Sequence, residues 1–316
     1  MVPGPEYLLI NHLPNWRGSA AELMPGMSIR RLNKAEQSAL QSPETMAHLH
    51  PATLNAAADY WLAYNFDNPH AVSNVRHRRR QEAAFKLIRQ ALYAIEILHP
   101  ADAANALLLF QSGAGGMKFQ CAEHGQPFLG SEWSRRCPVA RNFAAQLPDL
   151  LKRVQEVFRL PQLRLQIPVW LFEQGLGAPD PHIRILLWAT GLDSLTRASG
   201  QNVFRDRLCD LLGGQTSIFP ADTEGRRPAY SVDQVAGHLY ELRNEMAHGL
   251  PFHEMFRKRR GFLDAAGEPV APEFARYRYD WVLQECALFL LSKTLCEVLL
   301  RNLEFDIHLM EWRGQD

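Results

Sequence analysis

The sequence predicts a mainly α-helical protein. Three observations carry that expectation: apolar residues recur at helical spacing over long stretches, helix-ending residues bracket those stretches, and no repeat of fixed period points to a solenoid or propeller. With 47% hydrophobic and 22% charged residues, the chain has ordinary globular composition and enough apolar side chains for a real core. Its 316 residues exceed the size at which one core grows efficiently, about 250 to 300 residues, so two helical domains are expected. A boundary is placed near Gly175, where Gly175-Leu176-Gly177-Ala178-Pro179-Asp180-Pro181 changes the character of the chain. The parts are then residues 1–175, a mostly helical region of unassigned role, and residues 176–316.

In the first part, Leu49, Leu54, Ala57, Ala58, Trp61 and Leu62 suggest a helix from about Ser42 to Tyr64. A better-patterned one runs from about Arg79 to Leu98, with Pro100 as its stop. Asp102 to Phe110 reads as the start of another helix. The glycine-rich segment Gln111 to Pro138 reads as a long loop or a short hairpin. Val139 to Phe158 is helical, with Pro148 marking a kink or a break, and Leu163 to Phe172 is ambiguous between strand and helix.

Helical patterning is dense in the second part, over His182–Ala198, Val203–Leu212, Ser231–His248 and Tyr279–Leu303. The most apolar run, Trp281–Leu300, carries Gln284, Glu285, Lys293 and Glu297, the pattern of a core helix rather than a membrane span.

Charge excludes one class of function. Lysine plus arginine and aspartate plus glutamate each number 34, so nothing in the whole-chain charge favours wrapping duplex nucleic acid, and any such contact must use local patches. Five widely spaced cysteines do not form a secreted disulfide framework and are expected as reduced thiols. The N-terminus has no leader-like pattern, so a cytoplasmic protein without membrane contact is expected.

The informative helix is Ser231–His248. It opens on a serine N-cap and closes at Gly249, with Pro251 beyond. Its apolar face is Val232, Val235, Ala236, Leu239, Leu242 and Met246, and Arg243 falls at the edge of that stripe. A guanidinium there needs a carboxylate across the bundle, or else lines a polar pocket that a ligand or second subunit completes. Asn244 and His248 lie one turn apart, so the amide is placed to fix the imidazole. Arg243 and His248 are roughly 140° apart around a helix, so the long arginine or local unwinding before Gly249 must bring them to one reacting group.

Leu239-Tyr240-Glu241-Leu242-Arg243-Asn244-Glu245-Met246-Ala247-His248-Gly249 resembles the signature helix of HEPN domains, in which arginine is followed after four residues by histidine. Upstream, Arg184 to Thr196 is similar to the preceding family helix, whose acidic residue commonly faces the motif; here that residue is Asp193. With a connecting helix at Val203–Leu212, the pattern is most similar to the Apea-like branch and spans about residues 180 to 300. The resemblance implies an antiparallel helical bundle acting as a homodimer. It also implies a metal-independent endoribonuclease needing no cofactor, in a bacterial defence or toxin-like setting with a regulatory or antitoxin-like partner. Other family members keep the fold and bind a protein or nucleotide without cleavage. By the same resemblance, His248 moves the proton of a ribose 2′-hydroxyl or of the leaving oxygen, and Arg243 steadies the phosphorane charge. Asn244 orients the histidine or a phosphate oxygen, Asp193 holds Arg243, and Tyr240 lies on the substrate side.

Two basic runs, Arg76–Arg80 and Arg257-Lys258-Arg259-Arg260, read equally as solvated surface or as candidates for phosphate contact, the second as a substrate-binding patch just after the motif. Phe252, Phe256, Phe262, Tyr277 and Tyr279 would stack bases or fill the core, with core the stronger reading. Cys121, His124 and Cys137 make one short ligand pair without a matching second, too little for a zinc site, so no metal is expected. Gly113-Ala114-Gly115-Gly116 lacks the lysine of a phosphate-cradling loop and reads as a turn.

Overall fold

The computed structural model describes residues 7–10, 21–25, 27–31, 34, 38, 60–64, 86–87, 89–98, 107–113, 116–122, 143–159, 164–219, 230–249, 272–306 and 308–314. The described residues are mainly helical. They fall into two compact units, Met1–Glu156 and Val157–Asp316.

In the first unit, strands β1 (Tyr7–Ile10), β2 (Ala21–Met24), β3 (Met27–Arg31) and β4 (Tyr60–Tyr64) form an antiparallel sheet in the order β1-β4-β3-β2. Strands β5 (Leu107–Gly113) and β6 (Gly116–Ala122) form a hairpin closed by the Gly113 and Gly116 pair. Helix α1 (residues 89–98) buries Ala91, Leu92, Tyr93, Ala94, Ile95 and Ile97. Helix α2 (Phe143–Arg159), whose residues up to Glu156 belong to this unit, buries Leu147, Leu150, Leu151 and Val154 at helical spacing and runs through Pro148 without interruption. The Gln155 amide donates to the Met24 sulfur at 3.5 Å, joining α2 to β2.

Two expectations change here. The end of the helix expected over Ser42–Tyr64 is strand β4, because Tyr60-Trp61-Leu62-Ala63-Tyr64 is an aromatic-rich run that fits a pleated surface between two partners; residues 42–59 lie outside the described set. The helix expected to begin at Asp102 is strand by Leu107, since a short apolar run carries no period that separates strand from helix. The first part therefore contains a sheet and a hairpin beside its helices. Of the two readings of Gln111–Pro138, the hairpin holds as far as Ala122.

The second unit is a helical bundle of α3 (Gln166–Gly177), α4 (Pro181–Thr196), α5 (Gln201–Leu212), α6 (Val232–Ala247) and α7 (Pro272–Leu300). The ambiguous Leu163–Phe172 segment is helical from Gln166 and packs against α4, which places the division of the chain ahead of Gly175. Gly175 permits the close approach of these two helices: a Cβ there would lie 2.2 Å from the Trp188 indole nitrogen, which donates to the Phe172 carbonyl at 3.1 Å. The core gathers Phe172, Trp188, Leu192, Phe204, Leu239, Leu242 and Leu291.

Two small hairpins fix the ends. Strands β7 (Ser217–Phe219) and β8 (Tyr230–Ser231) pair just before α6, and the Val232 and Asp233 amides donate to the Thr216 and Gly214 carbonyls at 2.9 and 3.1 Å. Strands β9 (Leu303–Asp306) and β10 (Glu311–Gly314) close the chain around a turn in which the Asp306 carboxylate accepts from the His308 and Leu309 amides. Among the described residues, no helix is long and apolar enough to cross a membrane.

Candidate functional site

The site grows from the start of α6. Ser231 accepts from the Gln234 amide while the Gln234 side chain accepts from the Ser231 amide, a reciprocal cap that fixes where the helix begins. From that start, Val232, Val235, Ala236, Leu239 and Leu242 face inward and are buried. Arg243 follows at the edge of this face, half-buried.

The facing helix, α4, is set by an equally definite start. Asp180 accepts from the His182 and Ile183 amides at 2.8 and 3.1 Å, and Pro181 occupies the first turn. At the other end Asp193 lies in the last turn, its carbonyl accepting from the Arg197 amide at 2.8 Å. The Arg243 Nη2 donates to the Asp193 Oδ2, an ion pair across 50 residues of sequence. The second oxygen, Asp193 Oδ1, is buried and accepts no hydrogen bond among the described residues.

Arg243 has two further neighbours. Its Nη1 donates to the Asn244 side-chain oxygen at 2.6 Å, and its guanidinium carbon lies 5.5 Å from the centre of the Tyr240 ring. Tyr240 is itself braced by Phe204 of α5, ring centres 5.3 Å apart and tilted by 47°. Gln201, at the start of α5, ties the same helices together by donating to the Gly237 carbonyl at 3.2 Å and to Glu241 at 2.7 Å. Arg243 is thus held by an acid, an amide and an aromatic face at once.

His248 is the C-cap of α6. Its amide donates to the Asn244 carbonyl at 2.9 Å, and Gly249 follows with φ +72°, a conformation that ends the helix and suits glycine. The imidazole is exposed and makes no hydrogen bond among the described residues. The amide expected to orient it is turned to Arg243 instead, because the adjacent guanidinium offers a charged donor within reach of its oxygen. The structure therefore brings Asp193, Arg243, Asn244 and Tyr240 together and leaves His248 open at the helix end.

The basic run Arg257-Lys258-Arg259-Arg260, the run Arg76–Arg80, His124 and Cys137 lie outside the described residues, as do Phe252, Phe256 and Phe262. The Cys121 backbone is in β6. Among the described residues no group of three histidine, cysteine, aspartate or glutamate side chains is placed to hold a metal ion. Phe204 and Gln201 were not singled out in the sequence; the signal available was their helical spacing on α5, which reads equally as core and surface.

No family model, curated protein or solved structure matches the chain.

Proposed function

We propose that the second unit is a HEPN-type endoribonuclease, cleaving RNA without a metal through Arg243 and His248. The observation that carries this reading is the Asp193–Arg243 ion pair, because it joins the two positions that the family resemblance singles out on separate helices. A half-buried arginine held from one side by an acid and an amide has fixed orientation, which is what stabilising a phosphorane oxygen requires. His248, exposed one turn further on, is accessible to a substrate, and an imidazole has one nitrogen to accept a proton and one to donate it.

In the reaction, the ribose 2′-oxygen attacks the adjacent phosphorus as its proton passes to a base. The bond from phosphorus to the 5′-oxygen breaks, and the leaving oxygen takes a proton. The products are a 2′,3′-cyclic phosphate and a 5′-hydroxyl. His248 moves one of these protons, Arg243 meets the charge on the non-bridging oxygens, and Tyr240 offers an aromatic face beside the reacting phosphate. Arg257, Lys258, Arg259 and Arg260 supply backbone contacts that lengthen the RNA site. A homodimer would supply a second copy of the pair, so that one histidine acts as base and its counterpart as acid. The setting is a cytoplasmic bacterial defence or toxin-like system restrained by a neutralising partner.

A second reading is a scaffold that binds a protein or nucleotide without cleaving it. It is favoured by the way both terminal nitrogens of Arg243 are used inside the chain, by Asn244 and Asp193. Labelled RNA incubated in EDTA with the wild type and with His248→Ala separates the two. Loss of cleavage in the variant alone, with cyclic phosphate ends in the wild type, supports the nuclease; equal cleavage by both overturns His248 as the catalytic group.

A further inference from the structure

Arg207 on α5 is 7% exposed, and no carboxylate pairs with it among the described residues. Its Nη1 donates to the Thr196 and Arg197 carbonyls at 2.6 and 2.7 Å, at the C-terminal end of α4. Its Nη2 meets the Met310 sulfur at 3.5 Å, its guanidinium carbon lies 3.9 Å from the centre of the Phe305 ring, and the Trp312 indole donates to its own carbonyl at 2.9 Å. Phe305, Met310 and Trp312 all belong to the β9–β10 hairpin or its turn. The Arg197 side chain is held in turn by Glu304 of β9.

A buried arginine without a carboxylate is a costly filler, and an apolar residue of similar size would fill the space at lower cost. What the guanidinium adds is a planar cation whose Nη1 alone donates to two carbonyls at once, at the negative end of the α4 dipole, while its Nη2 meets Met310. The residues that carry those carbonyls close the turn that holds Asp193: the Arg197 amide donates to the Asp193 carbonyl, and the Thr196 hydroxyl donates to the Leu192 carbonyl at 3.0 Å. The Asp193 carboxylate in turn holds Arg243. The contacts run without a gap from the hairpin through Arg207 and the last turn of α4 to Asp193 and then to Arg243.

We propose that Arg207 is a positioning residue for Arg243, setting the direction of the Asp193 carboxylate through the end of α4, with the β9–β10 hairpin holding Arg207 in place. Its effect on catalysis rests on the ribonuclease reading above; its effect on Arg243 does not.

The test uses the full chain as wild type, Arg207→Met and Arg207→Lys. Methionine keeps much of the bulk and removes the donors, whereas lysine keeps a charged nitrogen able to reach the carbonyls but loses the planar group that lies over Phe305 and meets Met310. The readouts are the Arg243 side-chain Nε–H resonance, assigned with Arg243→Lys, and the single-turnover cleavage rate measured alongside RNA affinity. In Arg207→Met with wild-type helical content, the Arg243 resonance shifts and exchanges faster with solvent. The cleavage rate falls by about 10- to 100-fold while RNA affinity changes by less than about twofold. Arg207→Lys shows a smaller shift in the same direction, and it carries the test if the methionine variant does not fold. An Arg243 resonance unchanged in a folded variant overturns the proposal. If the wild type cleaves no RNA, the ribonuclease reading fails and the resonance alone decides the positioning role.

Discussion

Asp193 and Arg243 pair through one carboxylate oxygen and one terminal guanidinium nitrogen, while the other oxygen of Asp193 stays buried without a donor among the described residues. Both side chains keep about a fifth of their surface exposed. The pair is therefore neither a screened surface bridge nor a fully desolvated one, and its rupture should cost an intermediate amount. Asp193→Ala is expected to destabilise the protein by about 1 to 3 kcal/mol, because the guanidinium loses its acceptor in a half-buried place. Thermal unfolding of Asp193→Ala, Arg243→Met and the double variant checks this: the double should lose less than the sum of the two singles, and strict additivity would show that the pair contributes nothing.

The pair also shows what could be read in the chain beforehand. The start and stop of α6 were legible because Ser231, Gly249 and Pro251 act locally, and the buried face because apolar spacing needs no tertiary knowledge. Asp193 came into view only through the family resemblance, since one acid on an apolar helix has many possible partners. The sheet order β1-β4-β3-β2 was not legible: it depends on pairing between segments distant in sequence, and Tyr60–Tyr64 has apolar content compatible with either period. The open position of His248 was missed for a simpler reason, because helical spacing places Asn244 near it but does not say that Arg243 competes for the same amide. Arg207 gave no signal at all, being one arginine among several on an ordinary amphipathic helix.

Gly175→Ala tests the packing of α3 on α4. The new methyl carbon would overlap the Trp188 ring, whose nearest atom is 2.2 Å away and whose nitrogen is tied to the Phe172 carbonyl. A buried ring anchored by a hydrogen bond cannot step aside, so the helices must separate. A loss of about 1 to 3 kcal/mol is expected, seen as a lower urea midpoint and a reduced aromatic near-ultraviolet dichroism signal. Wild-type values for both would show that the contact relaxes freely.

The thiols give the chain an alkaline sensitivity. Burial, then the nearby Asp233 carboxylate, pushes the Cys209 thiol up to about 11, and burial with Glu297 pushes Cys296 up to about 12. Both folded values lie above the ordinary thiol value of about 8.5, so the folded state holds these protons more tightly than the unfolded state does. Their contribution to stability is complete below that ordinary value and is lost as pH rises through the folded values. Urea unfolding between about pH 8 and about pH 10 should show falling stability, and Cys209→Ser with Cys296→Ala should flatten the fall. An unchanged slope in the double variant would remove the thiols as its cause.

His248 separates stability from activity more cleanly than any other residue of the site. Its imidazole is exposed and makes no hydrogen bond among the described residues, so His248→Ala should leave unfolding within about 0.5 kcal/mol of the wild type. If it moves a proton in cleavage, the same substitution lowers the rate by about 100- to 10,000-fold. On the ribonuclease reading Asp193→Ala lowers both quantities together, because it loosens the residue proposed to meet the phosphate as well as the helix pair. Melting curves and RNA cleavage measured on both variants therefore read out two patterns. A His248→Ala protein that is stable but inactive marks chemistry at the helix end; one that is stable and fully active leaves the Asp193–Arg243 pair as a brace between helices and nothing more.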